Sequence, residues 1–233
     1  MRLDDDHFSA SMIDETLRFA SSSFGATAAI FCWIDPQESI TSYATAGVSR
    51  DLIDQYLAGR YVHDPLNVYE LIENQYRVAF LDRERGRRSP EENCVHDAFL
   101  GHYDIRDEVD LLFWHGDTPF ALLSMLSTRR SAPFTDSAVN WEAMRSYLEF
   151  NLKMHPRVRR AKQELMLSCR FGLTKREIEV VDLLKSGASN MTIAQIMGIG
   201  LATVKTYVIN ILNKLGVDNR AAIVAFLERM PLA

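Results

Sequence analysis

The stretch LTKREIEVVDLLKSGASNMTIAQIMGIGLATVKTYVINILNKLG, beginning at Leu173, restricts the fold of this chain more than any other part of it. Thr174 followed three residues later by Glu177 is a capping box, in which each side chain satisfies a backbone N–H of the other at a helix start. The helix so begun carries Ile178, Val181 and Leu184 on one face, and Gly187 ends it. Asn190 is placed to cap a second, short helix with Ile193, Ala194 and Met197. The GIG at 198–200 makes a tight turn, and a third helix runs from about Leu201 to Leu215. Two short helices joined by a glycine-containing turn form a helix-turn-helix.

In the third helix Val204, Val208, Ile211, Leu212 and Leu215 recur at helical spacing and are expected in a core. Lys205, Thr206, Ile209, Asn210, Asn213 and Lys214 fall on the opposite face. Lysines for phosphates or guanine edges, asparagines for adenine and apolar atoms for thymine methyls suit a DNA major groove; an ordinary solvated face is the alternative. Ile209 weighs against that alternative, because an exposed isoleucine in a polar face costs solubility unless something covers it. The last helix, NRAAIVAFLERM, is apolar almost all round from Ala221 to Leu227, so one side packs on the preceding helices and the other needs a partner.

The 233 residues carry a net charge of −5, but unevenly. From Phe171 onward seven bases face five acids, which leaves about +2 there and about −7 before it. The C-terminal quarter is therefore a separate object. A hydrophobic content of 47% supplies a packed core. Apolar runs such as FALLSML fall far short of the roughly 20 residues that span a bilayer, so no membrane association is expected. MRLDDDHFSA lacks the basic and apolar regions of a secretory signal, which places the chain in the cytoplasm. Its acidic run reads as a solvated terminus, since no strand precedes Asp4 to hold a phosphate-accepting site. Cys32, Cys94 and Cys169 show no metal-binding spacing, and Cys94, His96 and His102 diverge if 90–102 is a helix. No metal or cofactor is expected, and without a nucleophile–base–acid set neither is an enzyme.

Upstream, 27–34 and 39–46 read as strands joined by the turn DPQE, followed by helices over 49–59 and 65–74. Asp64 is read as the N-cap of the second, with Pro65 at its first position. The run RERGRRSPEEN at 83–93 is expected as an exposed loop, with a nucleic-acid patch as its sharper alternative. A helix near 90–102 leads into strands over IRDEVDLLFW and PFALLSMLST. A helix over 135–153 then carries Ala138, Trp141, Met144, Tyr147, Leu148 and Leu152 on one stripe. These elements predict an α+β chain: an antiparallel sheet covered by helices, an α/β/α sandwich of the PAS or GAF kind, followed by a four-helix helix-turn-helix domain. The divisions are expected at 1–154, a linker at 155–170, and 171–233.

The segment from Leu173 to Leu227 closely resembles the LuxR/GerE helix-turn-helix family, through Leu-Thr-x-Arg-Glu, Ile-Ala, Thr-Val-Lys, Lys-Leu-Gly-Val and Asn-Arg. The resemblance implies a sequence-specific transcription regulator whose recognition helix is 201–215, with Lys205, Thr206 and Ile209 at base or groove positions. Asn190, Thr203 and Lys214 suit phosphate contacts, and Tyr207 suits either a phosphate or the core. It also implies a homodimer through the last helix, at Ile223, Val224 and Leu227, on a pseudo-palindromic double-stranded DNA site, with RNA polymerase as a further partner.

The preceding part resembles the autoinducer-binding domain of quorum-sensing LuxR-type receptors, in DLIDQYLAGRYVHDP with Tyr56 and Asp64–Pro65, and in PFALLSML with Ser124. The resemblance implies a small-molecule signal, an acyl-homoserine lactone or a different small amphiphile. This chain departs from the receptor pattern: Leu52 and Phe80 stand at the tryptophan positions, and Tyr56 to Asp64 is one residue short. Without the indole N–H, a lactone carbonyl loses a donor worth roughly 1 kcal/mol net. Tyr43, Tyr61, Trp33 and Trp114 complete the expected pocket lining. Asp64 is read both as a helix cap and as an acceptor for a ligand donor. The alternative is a ligand-independent regulator or anti-activator whose N-terminal domain is a protein-interaction or dimerisation module.

Overall fold

The computed structural model describes residues 2–35, 39–128 and 133–230. The chain divides into two compact units, Met1–His155 and Pro156–Ala233. The first is built on five antiparallel strands in the order β2-β1-β5-β4-β3, with β1 at Ala28–Asp35, β2 at Ser39–Ala46, β3 at Val78–Phe80, β4 at Ile105–His115 and β5 at Thr118–Thr128. Side chains alternate across a strand, so Phe31, Leu111, Phe113, Leu123 and Met125 share one face. That face is covered by α1 (Arg2–Phe24), through Ile13, Leu17 and Phe24, and by α6 (Trp141–Leu152), through Trp141, Leu148 and Leu152. The other face carries Cys32, Leu112, Leu122 and Leu126 and is covered by α2 (Arg50–Leu57), α3 (Val68–Glu73) and α5 (Pro90–His102). Gly47 closes β2 with φ +68°, and a Cβ there would meet the Thr27 carbonyl oxygen at 2.7 Å, so only glycine fits.

The antiparallel α/β/α sandwich is as expected, and local details differ. The N-terminal acidic run lies within α1, while Pro36, Gln37 and Glu38 of the expected DPQE turn lie outside the described residues. The helix expected at 65–74 starts later: Asn67 is the N-cap of α3, its side chain accepting from the Tyr69 N–H, and a 3-10 turn at Arg60–His63 precedes it. Asp64 therefore does not cap that helix. The charged run after residue 83 is not a free loop. It forms the end of α4 (Leu81–Glu84), a 3-10 turn at Arg85–Arg87 and the start of α5, and Arg88 donates to the Asp64 carbonyl at 3.0 Å and pairs with Glu70. The helix expected from 135 starts at Trp141, capped by Asn140.

In the second unit α8 (Lys175–Lys185), α9 (Asn190–Met197), α10 (Leu201–Leu215) and α11 (Arg220–Arg229) enclose Val180, Leu184, Ile193, Val204, Ile211, Ile223 and Leu227. The stretch expected as a linker is a helix, α7 (Pro156–Cys169), and it packs into this unit. Its Leu167 is buried there, and Gln163 donates to the Leu227 carbonyl at 3.1 Å while accepting from Lys185 at 2.7 Å. Ser189, not Asn190, caps α9, and Gly198 ends that helix in the left-handed conformation at φ 64°. Asn219 caps α11, and Arg220 donates to the Ala188 carbonyl at 2.6 Å.

The capping box at α8 is closed, with Glu177 buried and Thr174 exposed. The Thr174 hydroxyl accepts from the Glu177 N–H, and Glu177 Oε2 accepts from the Thr174 N–H at 2.7 Å and from Lys214 Nζ at 2.6 Å. Burial alone would raise the Glu177 carboxyl, but hydrogen bonds from Lys214 and Thr174 outweigh it and hold the group below its ordinary value. An acid held low in the folded state stabilises fully above its unfolded pKa and loses that contribution as pH falls through the folded value. Glu177→Ala is therefore expected to lower unfolding free energy by about 2–3 kcal/mol at pH 7. In denaturant melts of the full chain, the difference from wild type should shrink below about pH 4.

Candidate functional site

Between the sheet and the α2, α3 and α5 layer lies a cavity of about 70 Å³. Its walls are mainly apolar, from Ile30, Ile53, Leu66, Phe99 and Leu122 among others. It approaches solvent where Tyr43 and Leu57 are 43% and 51% exposed. Asp64, Glu108, Asp110, His96, Tyr56 and Ser124 supply its polar groups.

Asp64 is buried and closes the chain turn between α2 and α3. One of its oxygens accepts from the Leu66 N–H at 2.7 Å, the other from the Tyr56 hydroxyl at 2.6 Å. Burial, then the Asp64 charge and hydrogen bond, push the Tyr56 hydroxyl well above its ordinary range, so it stays a donor. His96 Nε2 lies 3.6 Å from Asp64, too far for a hydrogen bond, and neither ring nitrogen has a hydrogen-bond partner. Burial lowers the His96 pKa more than Asp64 raises it, which leaves a neutral imidazole.

Glu108 and Asp110 stand two apart on β4 and so face the same side, with Ser124 opposite Asp110 on β5. Burial, then the neighbouring acids Asp110 and Asp64, raises Glu108 well above its ordinary value. Burial likewise pushes Asp110 up to about 8, against the Ser124 hydroxyl, which favours its charged form. Asp110 Oδ1 has no hydrogen-bond partner. The Cys32 thiol beside it is raised to about 12 by burial and by Asp110.

Of the residues expected to line a pocket, Tyr43, Leu52, Tyr56, Asp64 and Ser124 do so. Phe80 faces the opposite side of the sheet, edge-on to Trp141. Trp33 also packs on that side, against Phe31 and His155. Trp114 is buried with its indole N–H donating to the Tyr76 carbonyl at 2.9 Å, and Tyr61 packs between Tyr56 and Tyr69 outside the cavity. Glu108 and Asp110 are the polar lining residues that sequence reasoning missed. Their signal was present: two acids at period 2 in an otherwise apolar strand share one face.

In the second unit α9 and α10 meet at 111°, within the helix-turn-helix range. Thr203, Lys205, Thr206, Ile209, Asn210 and Asn213 are exposed on α10, Ile209 by 56%. Lys214 is directed elsewhere: its ammonium donates to Glu177 and to the Gly172 carbonyl, which joins α10 to the start of α8. Tyr207 is half-buried against the core, and Asn190 is half-buried in the first turn of α9. Ile223 and Leu227 fill the unit's own core, which leaves Val224, half-exposed, as the one of the three expected dimer residues within reach of another chain. Among the described residues no single helix is long and apolar enough to cross a membrane.

Residues 172–227 match the family of bacterial regulatory proteins, luxR family (GerE). A stretch of 57 residues is 40% identical to the transcriptional regulatory protein LiaR of Bacillus subtilis (strain 168), covering 24% of this chain and 27% of that protein. The chain thus spans about a quarter of the curated relative it matches. Among solved structures, SdiA in complex with octanoyl-rac-glycerol is similar over 94% of this chain and 87% of that one, with a TM-score of 0.50 and 15% identity. At that identity the likeness speaks to fold, and it extends through the sheet unit. The chain therefore ends in a helix-turn-helix domain of the LuxR/GerE family, preceded by a unit with an SdiA-like fold.

Proposed function

We propose that the protein is a sequence-specific DNA-binding transcriptional regulator of the LuxR quorum-sensing type, controlled by a small molecule held in the N-terminal cavity. The exposed face of α10 carries the DNA half of this reading: Lys205, Asn210 and Asn213 offer donors and acceptors around Ile209 on a helix crossing its partner at 111°. Among the described residues no side chain pairs with Lys205, and Ile209 stands in water, whereas a major groove gives both a counterpart. The mainly apolar cavity with its few polar groups supports the sensing half. A ligand that binds only the folded sandwich stabilises it by mass action, and thereby a binding-competent dimer. The dimer contact falls to the outer side of α11 at Val224, because Ile223 and Leu227 are already used.

One observation favours a second reading. A cavity of about 70 Å³ is well below the roughly 300–1,000 Å³ of ordinary ligand sites. A ligand-independent interaction or anti-activator module would look like this, whereas a receptor must enlarge the cavity on loading. Purified protein that melts at the same temperature with and without host lipid extract, and binds DNA equally in both, would decide for the second reading.

Selection from a random DNA pool should recover a two-fold symmetric site. Lys205→Ala should weaken binding to it by about 1–3 kcal/mol, and Ile209→Ala should relax preference at one base position per half-site. Gel shifts on the selected DNA check both. Val224→Arg should leave the melting temperature near wild type and convert a two-half-site footprint into weak single-half-site protection. An unchanged footprint would remove α11 from the dimer contact.

A further inference from the structure

We infer that the N-terminal cavity is built for a ligand with a cationic head, a protonated amine on an apolar body, in place of a neutral lactone. This rests on the sensing half of the proposed function. Three carboxyl groups, Asp64, Glu108 and Asp110, line one small cavity, and no lysine or arginine lines it with them. Neighbouring Asp107 shows how this fold treats an acid with a structural task. It is equally buried, but its two oxygens accept from the Glu108 and Phe134 N–H groups at 2.9 and 2.7 Å. Asp110 is held differently, by the Ser124 hydroxyl and the neighbouring Glu108 carboxyl. Its Oδ1 is buried without a hydrogen-bond partner among the described residues, as are both His96 nitrogens, and the two residues line the cavity.

Buried polar atoms without partners cost free energy, so a site that keeps them is suited to a ligand that supplies those partners. Two internal donors are already committed to Asp64. The Tyr56 hydroxyl and Leu66 N–H are spent on Asp64, which leaves that residue less to offer an amide N–H than the lactone pattern requires. An ammonium has three donors and no acceptor, and it matches Asp110 Oδ1, the Glu108 carboxyl and a neutral His96 nitrogen.

The ionisable groups lining the cavity are Cys32 from β1, Tyr43 from β2, Tyr56 from α2, Asp64 from the following turn, His96 from α5, and Glu108 and Asp110 from β4. In the empty protein the β4 acids are held toward their protonated forms by burial and by one another. An entering ammonium keeps its own proton and favours the carboxylates, so binding releases a proton from the acid pair to solvent. A neutral alcohol or lactone would release none.

The test uses the full-length protein at pH 7 with three probes of one chain length: n-hexylammonium, n-hexanol and n-hexanoate. The ammonium is expected to raise the melting temperature of the N-terminal unit by about 5 °C at roughly a hundred times its Kd, the others by less than about 1 °C. Calorimetry in two buffers of different ionisation enthalpy should show proton release on binding the ammonium. Asp110→Asn and Glu108→Gln should each weaken it about tenfold or more and reduce that release. Equal stabilisation by hexanol, or ammonium binding without proton release, overturns the cationic head and leaves ligand sensing intact. Failure of the ammonium alone, with a neutral acyl-lactone stabilising, has the same meaning. If no probe and no host extract shifts the melt, the sensing reading falls together with the inference.

Discussion

Both faces of the five-stranded sheet are covered by helices, and the character of the N-terminal unit follows from that constraint. A strand buried on both sides sends every side chain into the interior. In β4 this places Val109, Leu111 and Phe113 under α1 and α6, and Glu108, Asp110 and Leu112 under α2, α3 and α5. Acids so placed cannot reach water. Asp107 is satisfied by backbone donors, while burial raises Glu108 and Asp110 toward their protonated forms beside the cavity. The polar character of the cavity is thus a product of the double cover and of two residues on one strand.

Asp64 ties the helical layer to that cavity. Its side chain fixes the chain turn at Leu66 and receives Tyr56, and its carbonyl receives Arg88 from a run that looks, by composition, like a solvated loop. Arg88 also meets Glu70, and Arg87 lies against Glu70 and Glu84. These pairs span up to 24 residues of sequence, so local charge density had no means of reporting them. The same distance effect misplaced the helix start: Asp64 and Pro65 form a sound local cap, but Asn67 has the competing claim once the Asp64 carboxylate is occupied by Tyr56.

The C-terminal unit was legible almost residue by residue because its determinants are local. The Thr174–Glu177 box, the left-handed Gly198 and the apolar spacing of Val204, Ile211 and Leu215 each act within a few turns of helix. What was not legible is which exposed-looking side chains turn inward. Lys214 belongs by spacing to the outer face of α10, yet its flexible stem reaches the buried Glu177 carboxylate. Ile223 and Leu227 belong to a helix apolar on all sides, and periodicity alone does not say which side meets the unit's own core.

While α1, β3 and α4 were not legible in it, the amino-acid sequence by itself determined four of the five strands, the sheet-and-helix class of the first unit, the helix-turn-helix of the second and most of the face that α10 presents. Each of these rests on spacing, capping or turn chemistry between near neighbours. Only the tertiary structure decided that α7 belongs to the second unit, that Phe80 and Trp114 lie outside the cavity, and that Glu108 and Asp110 lie within it. Those outcomes depend on which layer covers which face of the sheet and on how much water is excluded there, and burial of that kind is a property of packed elements, not of residue order.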